Sequence, residues 1–250
     1  MTDASGRKPP GEGVLSALRE RPDDQDLWDR LRVRQFAGAR INLDPGSIGT
    51  PAQAVRAAMQ GFWDDELQAC PEGQVHRGRA ERRRARALAA ALWGEAPALT
   101  AGTSEALRAI AHALRIRHAG AEPPMVLASA HEHPGARAAF EPGFRWVELT
   151  GAALRDPVAV AAIAAGQRPA IVLLSQVTWT IGQVIAVREI AAAVRAAAPE
   201  VLVVVDAAQA LGLMPPALSG ADIVVASGHK WLFGPPGVGF AWASARARAE

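Results

Sequence analysis

The sequence predicts an α/β fold, a mainly parallel seven-stranded sheet sandwiched by helices, and three observations predict it. From residue 97 onward, short apolar runs alternate with Ala-rich helical stretches. Runs such as AIVLLSQV and VLVVVD are apolar without alternation, as strands are when helices cover both faces of their sheet. The chain has 250 residues, 50% of them hydrophobic, which is enough to bury a core of that size in one domain.

Taken in order, residues 1–13 (MTDASGRKPPGEG) read as a polar, disordered tail without the apolar stretch of a signal peptide. Residues 14–39 read as an amphipathic helix, and Pro51–Leu67 as a second, with Pro opening it at the first helical position. Arg77–Trp93 reads as a third, with Arg82, Arg83, Arg84 and Arg86 forming its solvated face. The expected strands are 97–100, 124–130, 144–149, 170–177, 201–206, 221–227 and 237–242. Helices are expected at 103–118, 134–140, 156–165 and 187–198. Such alternation builds a parallel sheet, whose ligands sit beyond the carboxyl ends of the strands. No internal repeat and no clear linker interrupt the pattern.

Composition narrows the function classes. Lys plus Arg is 27 and Asp plus Glu is 25, a net charge of +2, so a pI of 9.3 reflects arginines near charge balance rather than a nucleic-acid partner. The single cysteine, Cys70, excludes an internal disulfide framework or a thiolate zinc cage and suits a reducing, cytoplasmic setting. No uninterrupted apolar run reaches the roughly 18 residues that a membrane span needs.

Of the 27 basic residues only two, Lys8 and Lys230, are lysines. Lys230 lies in ADIVVASGHKWLFGPPGVGF, between apolar strands. Arginine keeps its charge everywhere, whereas a buried lysine can lose its proton and act as a nucleophile. The other strand ends carry matching chemistry. Gly102, Thr103 and Ser104 follow the first strand and open a helix, a setting for an anion as well as for ordinary capping. His131, Glu132 and His133 follow the second; two histidines without a third ligand make a poor metal site, but a flat imidazole can lie against a planar ring. Asp206 ends a fully apolar strand, where a carboxylate must find a partner. An anion cradle, an imidazole, a buried carboxylate and a desolvated lysine together match pyridoxal phosphate: the phosphate needs the cradle, the aldehyde an amine, and the ring nitrogen a carboxylate. An α/β protein binding some other phosphate ligand at Gly102 to Ser104 leaves Lys230 and Asp206 unexplained.

The succession GTSEA, HEHPG, VVVDAAQALG and SGHKWLFGPPGVGF resembles the class V aminotransferase family of fold type I pyridoxal phosphate enzymes. That family includes cysteine desulfurases, selenocysteine lyases and isopenicillin N epimerase-like proteins. INLDPGSIGTP resembles its substrate-side loop, so the likeness runs over roughly residues 40–242. The resemblance implies a fold type I large domain over residues 51–250, preceded by a helical and substrate-loop segment at 14–50. It implies that Lys230 carries the cofactor as a Schiff base and that Asp206 pairs with the ring nitrogen. Gln209 would reach the phenolic oxygen and His133 would stack on the ring. Thr103, Ser104, Ser227 and His229 would hold the phosphate with the backbone of Gly102. Lys230, Asp206 and His133 would be the catalytic residues, acting at the Cα of an amino-acid substrate.

Two departures shape the expected reaction. Trp179 stands where desulfurases often carry an Asn, and Cys70 is not where they carry their sulfur-accepting cysteine. Aminotransferase or epimerase-like chemistry is therefore expected ahead of a desulfurase or selenocysteine lyase-like C–S lyase. The chain also stops at Glu250, where family members continue into a C-terminal small domain that supplies a substrate-binding Arg. The expectation is a truncated sequence, one half of a split enzyme whose small domain lies on a separate chain, or a minimal variant; a non-catalytic cofactor-binding subunit is the alternative, and the resemblance implies a homodimer. Neither a membrane nor a nucleic acid is expected as a partner.

Overall fold

In a computed structural model of the protein, the described residues are 20–21, 23–36, 41–68, 71–120, 122–141, 143–218 and 220–249. The expected tail, with Lys8, and Cys70 lie outside them. Three helices come first: α1 (Gln25–Phe36), α2 (Gln53–Gln68) and α3 (Pro71–Trp93). Then follow β1 (Ala98–Thr100), α4 (Thr103–Arg117), β2 (Met125–Ser129), α5 (Pro134–Phe140) and β3 (Arg145–Leu149). A 3₁₀ turn (Ala153–Arg155) leads to α6 (Pro157–Gln167), β4 (Ile171–Ser175), α7 (Val187–Ala197), β5 (Leu202–Asp206), β6 (Ile223–Ser227), β7 (Gly239–Ala243) and α8 (Ala245–Ala249).

All seven expected strands form, in one sheet of order β1-β7-β6-β5-β4-β2-β3. The five strands β3, β2, β4, β5 and β6 are parallel, and β7 runs antiparallel to both its neighbours, β6 and β1. Two reversals leave β1 pointing the same way as the parallel set, so α4 begins at the edge where β2, β4, β5 and β6 end. The connection from β2 goes outward to β3 and then back past β2 to β4, which makes the β2–β4 boundary the switch point where such sheets open a crevice.

Both faces of the sheet are covered. One core joins the strands to α6 and α7 through Val160, Ala164, Ile190 and Val194; the other joins them to α4 and α5 through Leu107, Leu114 and Phe140. Strands β2, β4 and β5 are buried at every position, which is why their sequences do not alternate. Local chemistry fixes the helix starts. Asp156 caps α6 by accepting from the Val158 N–H at 2.9 Å, with Pro157 in the first turn.

The first three helices depart from their expected bounds. The stretch expected as one helix over 14–39 has its described helix at Gln25–Phe36, because Asp24 accepts from the Leu27 N–H at 2.9 Å and caps a new start there. Pro51 stands before its helix rather than at the first position, since the Ala52 carbonyl accepts the first helical bond, from Arg56 N–H at 3.0 Å. The third helix begins at Pro71 rather than Arg77, with proline opening it. Arg82, Arg83, Arg84 and Arg86 are exposed, as a solvated face should be. No helix among the described residues is long and apolar enough to cross a membrane.

Candidate active site

The carboxyl edge of the sheet opens into a cleft of about 1070 Å³, and every residue expected at the site lines it: Gly102, Thr103, Ser104, His133, Asp206, Gln209, Ser227, His229 and Lys230. Strand register explains the meeting. Ser227 of β6 lies opposite Gly239 of β7, and Gly239 opposite Thr100 of β1, so the turn after β1 is delivered beside the end of β6. Gly239 is required there, because a Cβ would stand 2.5 Å from the Gly102 Cα. Gly102 itself adopts φ 154° and ψ 177°, a region essentially closed to other residues.

The result is an open helix N-terminus. Gly102 offers α4 no side-chain cap; instead the Thr103 N–H donates to Ser227 Oγ at 3.1 Å, and the two hydroxyls lie 2.8 Å apart. Glu105 reaches back to the Ala101 N–H. Two residues beyond Ser227, His229 Nδ1 is buried with no hydrogen-bond partner among the described residues. An orphaned ring nitrogen, an uncapped helix end and paired hydroxyls fit a phosphate group.

Asp206, 6% exposed, has its carboxylate oriented by the Ala208 N–H at 2.8 Å. Burial raises its proton affinity, and the Ala208 hydrogen bond and the charge of Lys230 pull it partly back. Lys230 is half-buried, and its amine makes no direct hydrogen bond or ion pair with the described residues. Burial drives it toward the neutral amine, opposed by the charges of Asp206 and Asp44. Burial, together with Lys230, likewise lowers the proton affinity of His133 and His229. His133 caps α5 through Nδ1, which accepts from the Gly135 N–H at 3.0 Å, so the neutral ring carries its hydrogen on Nε2. Trp179 packs its ring edge-on against His133, centroids 5.3 Å apart, at the cleft wall.

Gln209 is more committed than its sequence suggests. Its Nε2 donates to the Gly46 carbonyl at 3.0 Å and its Oε1 accepts from Trp231 Nε1 at 2.7 Å, clamping the 41–50 segment to the lysine loop. One Nε2 hydrogen remains for a ligand. Sequence reasoning also passed over Glu132. This carboxyl is 7% exposed and held by Ser129 and Ser175 at the ends of β2 and β4; its position inside HEHP, after a buried strand, was the available signal. Among the described residues no three His, Cys, Asp or Glu side chains gather as a metal site.

The sequence model of the family Aminotransferase class-V matches residues 51–250. No curated protein matches the sequence. Solved structures do match in shape. A cysteine desulfurase from Thermococcus onnurineus superposes with a TM-score of 0.71 at 21% identity, covering 87% of this chain and 57% of that one. A C-DES mutant with glycine covalently linked to the PLP cofactor gives 0.73 at 21% identity, covering 87% and 60%. DndA from Streptomyces lividans gives 0.68 at 24% identity, covering 84% and 61%. At these identities the likeness establishes the fold, and this chain spans about 60% of the length of these proteins.

Proposed function

The chain belongs to the aminotransferase class-V family, and from that premise we propose that it binds pyridoxal 5'-phosphate in the cleft and acts at the Cα of an amino acid, in an aminotransferase or epimerase-like reaction. The observation that carries this reading is the convergence of a half-buried lysine, a buried carboxylate and an uncapped helix N-terminus on one cleft. When bound, pyridoxal phosphate supplies an aldehyde that captures amines and a ring that spreads negative charge away from Cα.

The rest falls to the chain's own groups. Lys230, moved toward the free amine by burial, is the amine that would hold the cofactor's aldehyde carbon and the base that would take the proton from the substrate Cα. Asp206, fixed by the Ala208 N–H, holds a proton on the ring nitrogen. His133, with its orientation set by Gly135, offers its face to the ring. The Gly102–Ser104 backbone and hydroxyls, Ser227 and His229 hold the phosphate, and the spare N–H of Gln209 reaches the phenolic oxygen. Trp179, packed on His133 at the cleft wall, supports transamination or epimerisation over C–S lyase chemistry, because it brings an apolar ring and no amide to that wall.

The apolar residues Leu43, Trp179 and Leu213 line the cleft and Ile181 is exposed near them; they support a homodimer, or a separate chain bringing a small domain, closing over the site. A cytoplasmic setting fits the same reading. The test is to load purified protein with pyridoxal phosphate, trap the complex with borohydride and map the peptides. The expected result is a yellow protein labelled at Lys230, with no label in Lys230→Ala. A colourless protein, or label confined to Lys8, sinks the reading.

A further inference from the structure

Glu132 has no part in the mechanism above, yet it is one of the most completely enclosed ionisable groups of the described residues. Its Oε1 accepts from Ser129 Oγ at 2.9 Å and from the Ser175 N–H at 3.0 Å, and its Oε2 lies 2.6 Å from Ser175 Oγ. Those contacts tie the end of β2 to the end of β4 across the switch point. Ser175 is in turn the register partner of Asp206 on β5, and the next residue, Gln176, donates its N–H to the Asp206 carbonyl at 2.9 Å. A carboxyl that the mechanism does not use therefore stands one strand away from the carboxylate that it does.

We propose that Glu132 is a positioning residue for Asp206: it keeps its own proton, so that Asp206 alone carries negative charge at this edge of the sheet. Two buried carboxyls on either side of one strand, Glu132 bonded to Ser175 of β4 and Asp206 paired beside Ser175 on β5, do not both ionise cheaply, and their surroundings decide which one keeps the proton. Asp206 faces Lys230 and the cleft. Glu132 faces hydroxyls and an amide, and the one charged group acting on it is Asp206; its sequence neighbours His131 and His133 turn to Thr180 and Gly135 instead. Burial raises the Glu132 pKa from its ordinary 4.5 to about 7, with Asp206 adding to the rise and the three hydrogen bonds opposing it. Burial and the charge of Lys230 push the cleft histidines His133 and His229 the other way, toward the neutral ring.

The inference rests on the cofactor reading for its purpose but is testable without cofactor. A carboxyl with a raised native pKa favours the fold fully below its unfolded value, and this advantage is lost as pH rises through the native one. Thermal melts of apoprotein should therefore show Glu132→Gln, which mimics the protonated acid, gaining on wild type between pH 5 and 7, with the gap constant above. Across that window the folding equilibrium of the variant should improve about 100-fold relative to wild type. In an Asp206→Asn background the Glu132 window should move to lower pH, and in Ser175→Ala, which removes a donor, to higher pH. With pyridoxal phosphate bound, the near-neutral step in its visible band should disappear in Glu132→Gln. Parallel melting curves, or a window indifferent to Asp206→Asn, overturn the proposal, and so does a spectral step that survives in Glu132→Gln. A wild type that takes no cofactor while the melts behave as expected overturns the cofactor reading and leaves the carboxyl pair standing.

Discussion

Two buried aspartates sit at opposite ends of neighbouring strands and live in opposite conditions. Asp222, 1% exposed and just before β6, accepts from the Val203 N–H at 2.8 Å, from Arg195 at 3.3 Å and from Arg246 at 3.4 Å. Its carboxylate joins α7, β5 and α8, and its charge is answered within the chain. Asp206, at the carboxyl end of β5, has one backbone donor and no ion pair among the described residues. A buried charge left short of partners is costly to a fold. The difference separates a residue whose charge is answered within the chain from one whose charge is left open at the cleft, although both read in the sequence as Asp beside an apolar run.

Asp206→Asn should break the comparison most sharply, because it should damage chemistry and spare the fold. The amide keeps the shape and the Ala208 contact but cannot hold a proton on a ring nitrogen. Removal of cofactor-dependent proton exchange at Cα by about 10²–10³-fold is expected, the size typical of losing one preorganised electrostatic partner. Stability should move the other way. Burial raises the pKa of Asp206, so its contribution is present at low pH and is lost as pH rises through the native value. Apoprotein Asp206→Asn should therefore melt at or above wild type at pH 8, with the gap closing toward pH 4. Unchanged proton exchange would remove Asp206 from the mechanism.

Asp222→Ala is the mirror experiment. It leaves the Val203 N–H unpaired inside the sheet and releases two arginines, one of which also holds the Pro199 and Val201 carbonyls. Breaking a buried pair costs about 3–5 kcal/mol, and the partly exposed guanidiniums place this case near about 3 kcal/mol. The melting temperature should fall by roughly 10 °C while cofactor attachment at Lys230 survives below it. Loss of attachment in a folded Asp222→Ala protein would erase the distinction between the two aspartates.

The sheet, its seven strands and the helices between them were legible because burial on both faces leaves an apolar run with no alternation, and AIVLLSQV or VLVVVD could be little else. That the candidate residues would meet in one cleft was legible because each follows such a run. Strand direction was not: β7 carries no pattern that distinguishes antiparallel from parallel, and only the turn after Lys230 reverses it. Glu132 was hidden by its flanking histidines, since nothing local tells which of three polar neighbours turns inward. Asp222 was hidden because Arg195 and Arg246 come from helices 27 residues before and 24 residues after it.

Gln209 falls between the two aspartates, part finished and part open, and gives the smallest expected effect. Its amide joins Gly46, 163 residues away in sequence, to Trp231, next to Lys230. Gln209→Ala deletes both bonds and leaves the Trp231 N–H and the Gly46 carbonyl to water, because both lie where the cleft is open. Solvent can replace partners at such a site, so global stability should fall by only about 1 kcal/mol. The segment that the amide restrains should respond more than the fold does. Amide hydrogen exchange across residues 42–50 should accelerate about tenfold, while exchange in β4 and β5 stays at the wild-type rate. Equal acceleration in both places would mean that Gln209 supports the sheet, as Asp222 does. No change in either would mean that the 41–50 segment is held by its other contacts, chiefly the Gly49 N–H to the His229 carbonyl at 2.6 Å. The expected outcome, confined to one segment, makes Gln209 a latch between the 41–50 segment and the Lys230 loop, with its second N–H free for a ligand.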